Sequence, residues 1–179
     1  MATPLFSPHL ISPTVTSSLP PGYTIRPLSR DDYHKGFFAC IQVLTSTGDV
    51  SEARFLERYD YMKSLGVHYF VVIERQEEDG SGGTIVGTGT LMVERKFIHD
   101  LGSVAHIEEI AIRKEEQGKG LGLKMLNALS SIAKEVGCYK SILGCSPANE
   151  GFYEKCGFKR GGLDMNQYYE EEKGAWERG

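Results

Sequence analysis

Apolar positions along this chain follow two rhythms, one of period two and one of period three to four, and each marks a different element. Tyr23 to Leu28 alternates and predicts a first strand, with Pro27 favouring a sheet edge or strand end. Ser29 can cap a helix with Asp31 and Asp32 in its first turn and Phe37, Phe38, Ile41 and Leu44 along its length. The run Thr45 to Gly48 breaks it. Ser51 can cap a second helix, where Phe55, Leu56, Tyr59 and Met62 recur at helical spacing. Two β-like runs follow, Val67 to Glu74 and Thr84 to Val93, and the turn-rich stretch Glu77 to Gly83 joins them as a hairpin. Glu94 to Gly102 is a polar connection, and Ala105 to Arg113 is the next strand. Leu121, Met125, Leu129, Ile132 and Val136 then share one helix face, closed by Gly137. Tyr139 to Cys145 is a strand, Pro147 to Asn149 a turn, and Glu150 to Lys155 a short helix stopped at Gly157. Leu163 to Tyr169 supplies final strand material. The order βααβββαβαβ predicts an α/β (α+β) chain with a mixed sheet and helices on both faces.

Composition narrows the function classes. With 179 residues, one domain over 22–170 is the expectation. A net charge of −4 argues against general nucleic-acid binding, which needs a basic surface. No apolar run approaches the length of a membrane-spanning helix. Cys40, Cys138, Cys145 and Cys156 show no CxxC or Cys/His spacing, so no metal site is expected and the thiols suit a reducing compartment. Residues 1–21 are rich in Pro, Ser and Thr and have no Lys or Arg, unlike a secretory signal or mitochondrial presequence. They read as a disordered leader, the stretch 171–179 reads as an acidic tail, and the location reads as cytoplasmic.

The chemistry concentrates at Gln117-Gly118-Lys119-Gly120-Leu121-Gly122, after a strand and at the start of a helix. Glycines let a backbone approach a ligand closely, and the first N–H groups of a helix are free to bind an anion. The spacing misses both the dinucleotide fingerprint and the P-loop. Gln117, Gly120 and Gly122 instead resemble the Q/R-x-x-G-x-G/A motif of the GNAT-type N-acetyltransferases. Asn149, Phe152, Tyr153, Gly157 and Phe158 resemble that family's second motif, in the correct order. Lys96 to His99, His106 to Ile110, Gly137 to Lys140 and Phe152 to Phe158 together resemble the eukaryotic, fungal-type glucosamine 6-phosphate N-acetyltransferases, over about Thr24 to Gln167.

The resemblance implies the acyl-CoA N-acyltransferase fold, with a central mixed, mostly antiparallel sheet. It implies acetyl-CoA as co-substrate, held by Ile110, Ala111, Ile112, Gln117, Gly118, Lys119, Gly120, Leu121, Gly122, Leu123, Asn149, Phe152, Tyr153 and Lys155. It implies a sugar-phosphate site at Thr45, Lys96, Phe97, His99, Glu108, Glu109, Tyr139 and Lys140, completed by the second subunit of a homodimer. The product would enter amino-sugar synthesis towards UDP-N-acetylglucosamine.

Acetyl transfer to an amine needs a neutral nucleophile, a donor for the carbonyl oxygen and a proton for the leaving thiolate. Glu108 and Glu109 stand side by side in an otherwise apolar strand, and regular geometry would point them to opposite faces. A bulge, which the resemblance implies, changes that. Glu108 is the candidate base and Glu109 a candidate sugar ligand. The Ile110 N–H is the candidate oxyanion donor, with Ile110 to Ile112 pairing the pantetheine arm like an added strand. Tyr153 is the candidate acid, since a phenol of pKa about 10 stays protonated at neutral pH.

Two departures from the resemblance stand out. Gly144 occupies a position where relatives often carry an acidic residue, so its own carbonyl or Glu108 alone would have to serve. Gln167-Tyr168 replaces a C-terminal arginine of some relatives, which leaves Arg160 as a candidate phosphate ligand. The alternatives are a related enzyme acting on a protein lysine, polyamine or drug amine, and a non-catalytic CoA-binding sensor.

Overall fold

The computed structural model describes residues 3–77, 80, 82–167 and 169. The alternating runs form β1 (Tyr23–Pro27), β2 (His68–Gln76), β3 (Gly83–Arg95), β4 (Ser103–Ile112) and β5 (Cys138–Ile142). The helices are α1 (Pro13–Thr16), α2 (Phe37–Ile41), α3 (Glu52–Leu65), the irregular turn α4 (Ile98–Leu101), α5 (Leu121–Glu135) and α6 (Glu150–Lys155). The chain divides into two compact units, Met1–Leu143 and Gly144–Gly179, so the single domain expected over 22–170 falls across both.

In the first unit the sheet order is β1-β2-β3-β4-β5. The first four strands form an antiparallel meander, and β5 returns parallel to β4 after α5. Phe70 and Val72 join a core with Leu28, Phe37, Cys40, Phe55 and Tyr59. Their neighbours Val71 and Ile73 point to the opposite face and are also fully buried. On α5, Leu121, Met125, Leu129 and Ile132 are buried too, so helices cover the sheet on both faces.

Three local expectations change. The helix predicted after Ser29 is split. A 3₁₀ turn, Arg30–Lys35, ends at Gly36 with φ 80°, and only then does α2 begin. Arg113 donates to the Gly36 carbonyl at 3.1 Å, so the break is held from the end of β4.

The leader is not loose over its described part. Leu5 and Ile11 are buried, the Leu5 N–H donates to the Leu28 carbonyl at 2.8 Å, and Tyr59 donates its hydroxyl to the Thr3 carbonyl at 2.6 Å. Scattered apolar residues between prolines bury individually, a pattern without the periodicity that betrays a helix or strand.

Finally, Leu163 to Tyr169 forms no strand among the described residues. Leu163 and Met165 stay 96% and 95% exposed, with no paired neighbour to hold an extended segment. Tyr168 and the acidic tail lie outside the described residues.

Candidate active site

The pairing of β3 with β4 sets the site. Thr88 faces Ala111 and Thr90 faces Glu108, so two steps along β3 match three along β4. The extra residue is a β-bulge at Glu109 and Ile110, opposite Gly89, and Glu109 takes φ 54°. Gly89 makes room for it: a β-carbon there would stand 2.8 Å from Met125 Cγ and 2.9 Å from Ile110 Cδ1. Thr88 donates to the Glu109 carbonyl at 3.2 Å, and Thr90 to Glu109 Oε2 at 3.1 Å. Loss of water around that carboxyl raises its pKa, the Thr90 hydrogen bond opposes the rise, and the Glu108 charge adds to it. Glu108 and Glu109 are both exposed to solvent.

The other edge of β4 is open. β5 pairs only with Ser103 to His106. Among the described residues no strand covers that edge from Ile107 to Ile112, where Glu108 and the three predicted pantetheine partners Ile110, Ala111 and Ile112 lie. Cys40 lies with its thiol against the Ala111 carbonyl, fully buried, and burial pushes its pKa up to about 11.

At its C-terminal end β4 leads into a 3₁₀ turn, Lys114–Glu116, and the glycine run. The Gln117 side chain donates to the Ile112 carbonyl at 3.0 Å and ties the turn to the strand. Gly118 and Gly120 have φ 81° and 76°, and a β-carbon on either would meet only open space. Glycine is therefore required there by backbone conformation and not by crowding. The Lys124 N–H to Gly120 carbonyl bond, 3.2 Å, opens the helical ladder, so Leu121, Gly122 and Leu123 precede it in the turn whose N–H groups have no helical acceptor. Gly120 contributes no capping side chain.

Glu116 escaped the sequence reading. It is 1% exposed and accepts from Arg75 at 2.5 Å, Tyr23 at 2.6 Å and Lys119 at 2.6 Å. Burial alone would raise its pKa, but the hydrogen bonds from Lys119, Tyr23 and Arg75 outweigh it and bring the carboxyl down to about 2. A single Glu beside a glycine motif carries no periodic or motif signal, so only the fold reveals its partners.

Four of the predicted sugar-phosphate residues, Lys96, His99, Tyr139 and Lys140, gather towards the opposite end of β4. The Lys96 N–H donates to the Gly102 carbonyl at 2.9 Å, and its ammonium pairs with Glu94 at 2.6 Å. Glu94 also meets His106 at 2.8 Å. His99, Asp100 and Leu101 all adopt left-handed φ of 53°, 54° and 59°. The His99 ring lies 4.8 Å from that of Tyr139, and a β-carbon on Gly102 would press on the Tyr139 ring at 3.0 Å. Lys140 pairs in register with Val104 and is exposed. Phe97 is exposed, and Thr45 is exposed on the turn after α2. The structure thus joins Lys96, His99, Tyr139 and Lys140, but away from the carboxylate pair.

In the second unit, α6 carries Phe152, Tyr153 and Lys155, with Asn149 at its N-terminal end. The Tyr153 ring packs between Phe152 and Phe158, at 5.2 and 6.1 Å. Arg160 is held by Glu150 through two hydrogen bonds of 2.8 and 2.7 Å, which engages the arginine suggested for the phosphate. A β-carbon on Gly144 would stand 3.0 Å from an Asp164 carboxylate oxygen. A carboxylate therefore does stand beside Gly144, supplied from 20 residues further along the chain (164 against 144). Among the described residues no group of three or more His, Cys, Asp or Glu could hold a metal ion, and no helix is long and apolar enough to cross a membrane.

Known proteins resemble this chain in sequence and fold. Residues 30–158 match the family model described as "Acetyltransferase (GNAT) family". The chain is 45% identical over 148 residues to the glucosamine 6-phosphate N-acetyltransferase of Candida albicans, covering 82% of this chain and 96% of that one. It is 40% identical over 154 residues to glucosamine 6-phosphate N-acetyltransferase 1 of Dictyostelium discoideum, covering 86% and 96%. The crystal structure of glucosamine-6-phosphate N-acetyltransferase from Arabidopsis thaliana superposes with a TM-score of 0.78 at 39% identity, covering 83% of this chain and 99% of that chain. GNAT acetyltransferases use acetyl-CoA. On this fold, this site and these relatives, the chain belongs to the acetyltransferase (GNAT) family, among the glucosamine 6-phosphate N-acetyltransferases.

Proposed function

We propose that this protein transfers the acetyl group of acetyl-CoA to the amine of glucosamine 6-phosphate by direct attack in a ternary complex, giving N-acetylglucosamine 6-phosphate. The observation that carries the reading is the sequence of features along β4: uncapped helix N–H groups at one end, an unpaired edge, then a bulge bearing two carboxylates. The pyrophosphate sits on the N–H groups from Gly118 to Leu123. The pantetheine arm pairs with Ile110 to Ile112, which delivers the thioester to the bulge.

At the bulge the neutral amine attacks the carbonyl carbon, and the Ile110 N–H stabilises the oxygen as it gains charge. Glu108 accepts the proton that the ammonium gives up before attack, while Glu109, fixed by Thr90, holds the sugar or the ammonium form. The attacking nitrogen sheds its second proton to solvent as the amide forms. The C–S bond then breaks, and the departing thiolate takes up a proton. No covalent enzyme intermediate forms. The raised thiol pKa of Cys156, caused by burial, suits that exclusion.

The phosphate end favours a homodimer. Glu108 lies five residues along β4 from Ser103, roughly 17 Å at ~3.3 Å per residue. That is longer than a hexose phosphate, and Lys96 stands beyond, beside Gly102. A second copy supplying Tyr139 and Lys140 would close the gap. Phe97, Ile98 and Leu101 are 95%, 61% and 70% exposed and provide the apolar surface an interface needs. Four free cysteines support a reducing compartment such as the cytoplasm, where the product is available for UDP-N-acetylglucosamine synthesis.

The test is a competition among glucosamine 6-phosphate, a lysine peptide and a polyamine. The expected kcat/KM for the sugar phosphate exceeds the others by at least about a hundredfold, the discrimination a site built to hydrogen-bond its substrate can reach. Equal turnover of the peptide would remove the sugar phosphate as the acceptor.

A further inference from the structure

We infer that Glu116 is a positioning residue for the pyrophosphate turn, clamping it to the two strands at the far edge of the sheet. The inference rests on the reading that Gly118 to Leu123 bind the pyrophosphate of acetyl-CoA. A carboxylate one residue before an anion-binding turn would repel the ligand unless neutralised. Glu116 is neutralised on both oxygens: Arg75 bonds Oε1, and Tyr23 and Lys119 bond Oε2.

Its partners come from separate elements. Tyr23 on β1 and Arg75 on β2 are register partners, so the carboxylate is fixed by a paired position of the sheet. Arg75 is itself held by Glu77 at 3.3 Å, and Glu77 accepts from Thr84 on β3 at 2.6 Å. Lys119 also reaches the Tyr23 hydroxyl at 3.0 Å. The lysine sits between Gly118 and Gly120, the two residues with positive φ and open surroundings. Glycines there leave the loop free to wander, and the clamp removes that freedom before the ligand arrives. Lys119 thereby acts through Glu116, and the pyrophosphate is bound by main-chain N–H groups.

An effect of this kind falls on cofactor affinity and leaves the chemical step alone. Steady-state kinetics of the full chain carrying Tyr23→Phe or Glu116→Gln, with calorimetric titration of acetyl-CoA, test it. Tyr23→Phe keeps the ring and removes one hydrogen bond to a charged group. It should raise the KM and Kd for acetyl-CoA about three- to tenfold. Glu116→Gln should raise them more, and the double variant no further, because the groups act as a unit. In every case kcat and the KM for glucosamine 6-phosphate stay within about twofold of the unaltered protein. If Glu116→Gln does not fold, Tyr23→Phe decides alone. An unchanged acetyl-CoA KM, or a parallel rise for both substrates, overturns the clamp. Failure of the unaltered protein to bind acetyl-CoA would instead remove the cofactor reading beneath it.

Discussion

At the residue scale the proposed reaction turns on two adjacent glutamates that the bulge sets apart. Both carboxylates are exposed to solvent, but Glu109 is anchored by Thr90 and its pKa is raised, while Glu108 lies on the stretch of β4 that β5 does not pair. The proposed division of labour between the two carboxylates rests on that difference. Glu108→Gln should lower kcat about a hundredfold to a thousandfold, with the acetyl-CoA KM little changed, because a proton acceptor is lost but not a cofactor contact. Steady-state kinetics with each substrate varied in turn checks this. Gly144 illustrates the limit of reading one position at a time. From sequence it is a missing carboxylate, whereas in the fold Asp164 stands next to it.

At the element scale, β4 and the glycine turn position the proposed chemistry, and Gly89 allows the bulge. Gly89→Ala should destabilise the protein by about 1–3 kcal/mol, the usual cost of overpacking, and impair turnover with it. A lowered urea midpoint measured beside activity would show both. The strand, turn and α5 were legible because alternation, glycine spacing and a helical apolar face are local signals. The bulge was legible only through the resemblance, although Gly87 and Gly89 inside a strand are themselves a local hint of close approach. The split after Ser29 was hidden because Gly36 looks tolerable in a helix until Arg113, from the end of β4, holds it. The strand expected at Leu163 to Tyr169 had the right residues but, among the described residues, no neighbouring strand to pair with. Glu116 and its three partners were invisible, because Tyr23, Arg75 and Lys119 meet only after β1, β2 and the turn are assembled.

At the scale of the whole molecule, the first unit folds around a sheet with both faces covered, and the leader contributes to one of its cores. Leu5 packs in a cluster with Leu28, Tyr59 and Phe70. Leu5→Ala should therefore cost about 2–4 kcal/mol, as for other buried leucines, and a chemical denaturation series would read it. A change below about 0.5 kcal/mol, typical of a surface site, would mean that the leader does not dock in solution. The same scale bears on cofactor binding. The open edge of β4 is complete only when something pairs with it, and the acetyl-donor arm is the partner the account assigns. Hydrogen exchange of the full chain with and without coenzyme A tests that assignment most directly. Slowed exchange in the amides of residues 107–112 and 118–123 on binding is the predicted result. Coenzyme A binding that leaves both segments exchanging at their free rate would contradict it.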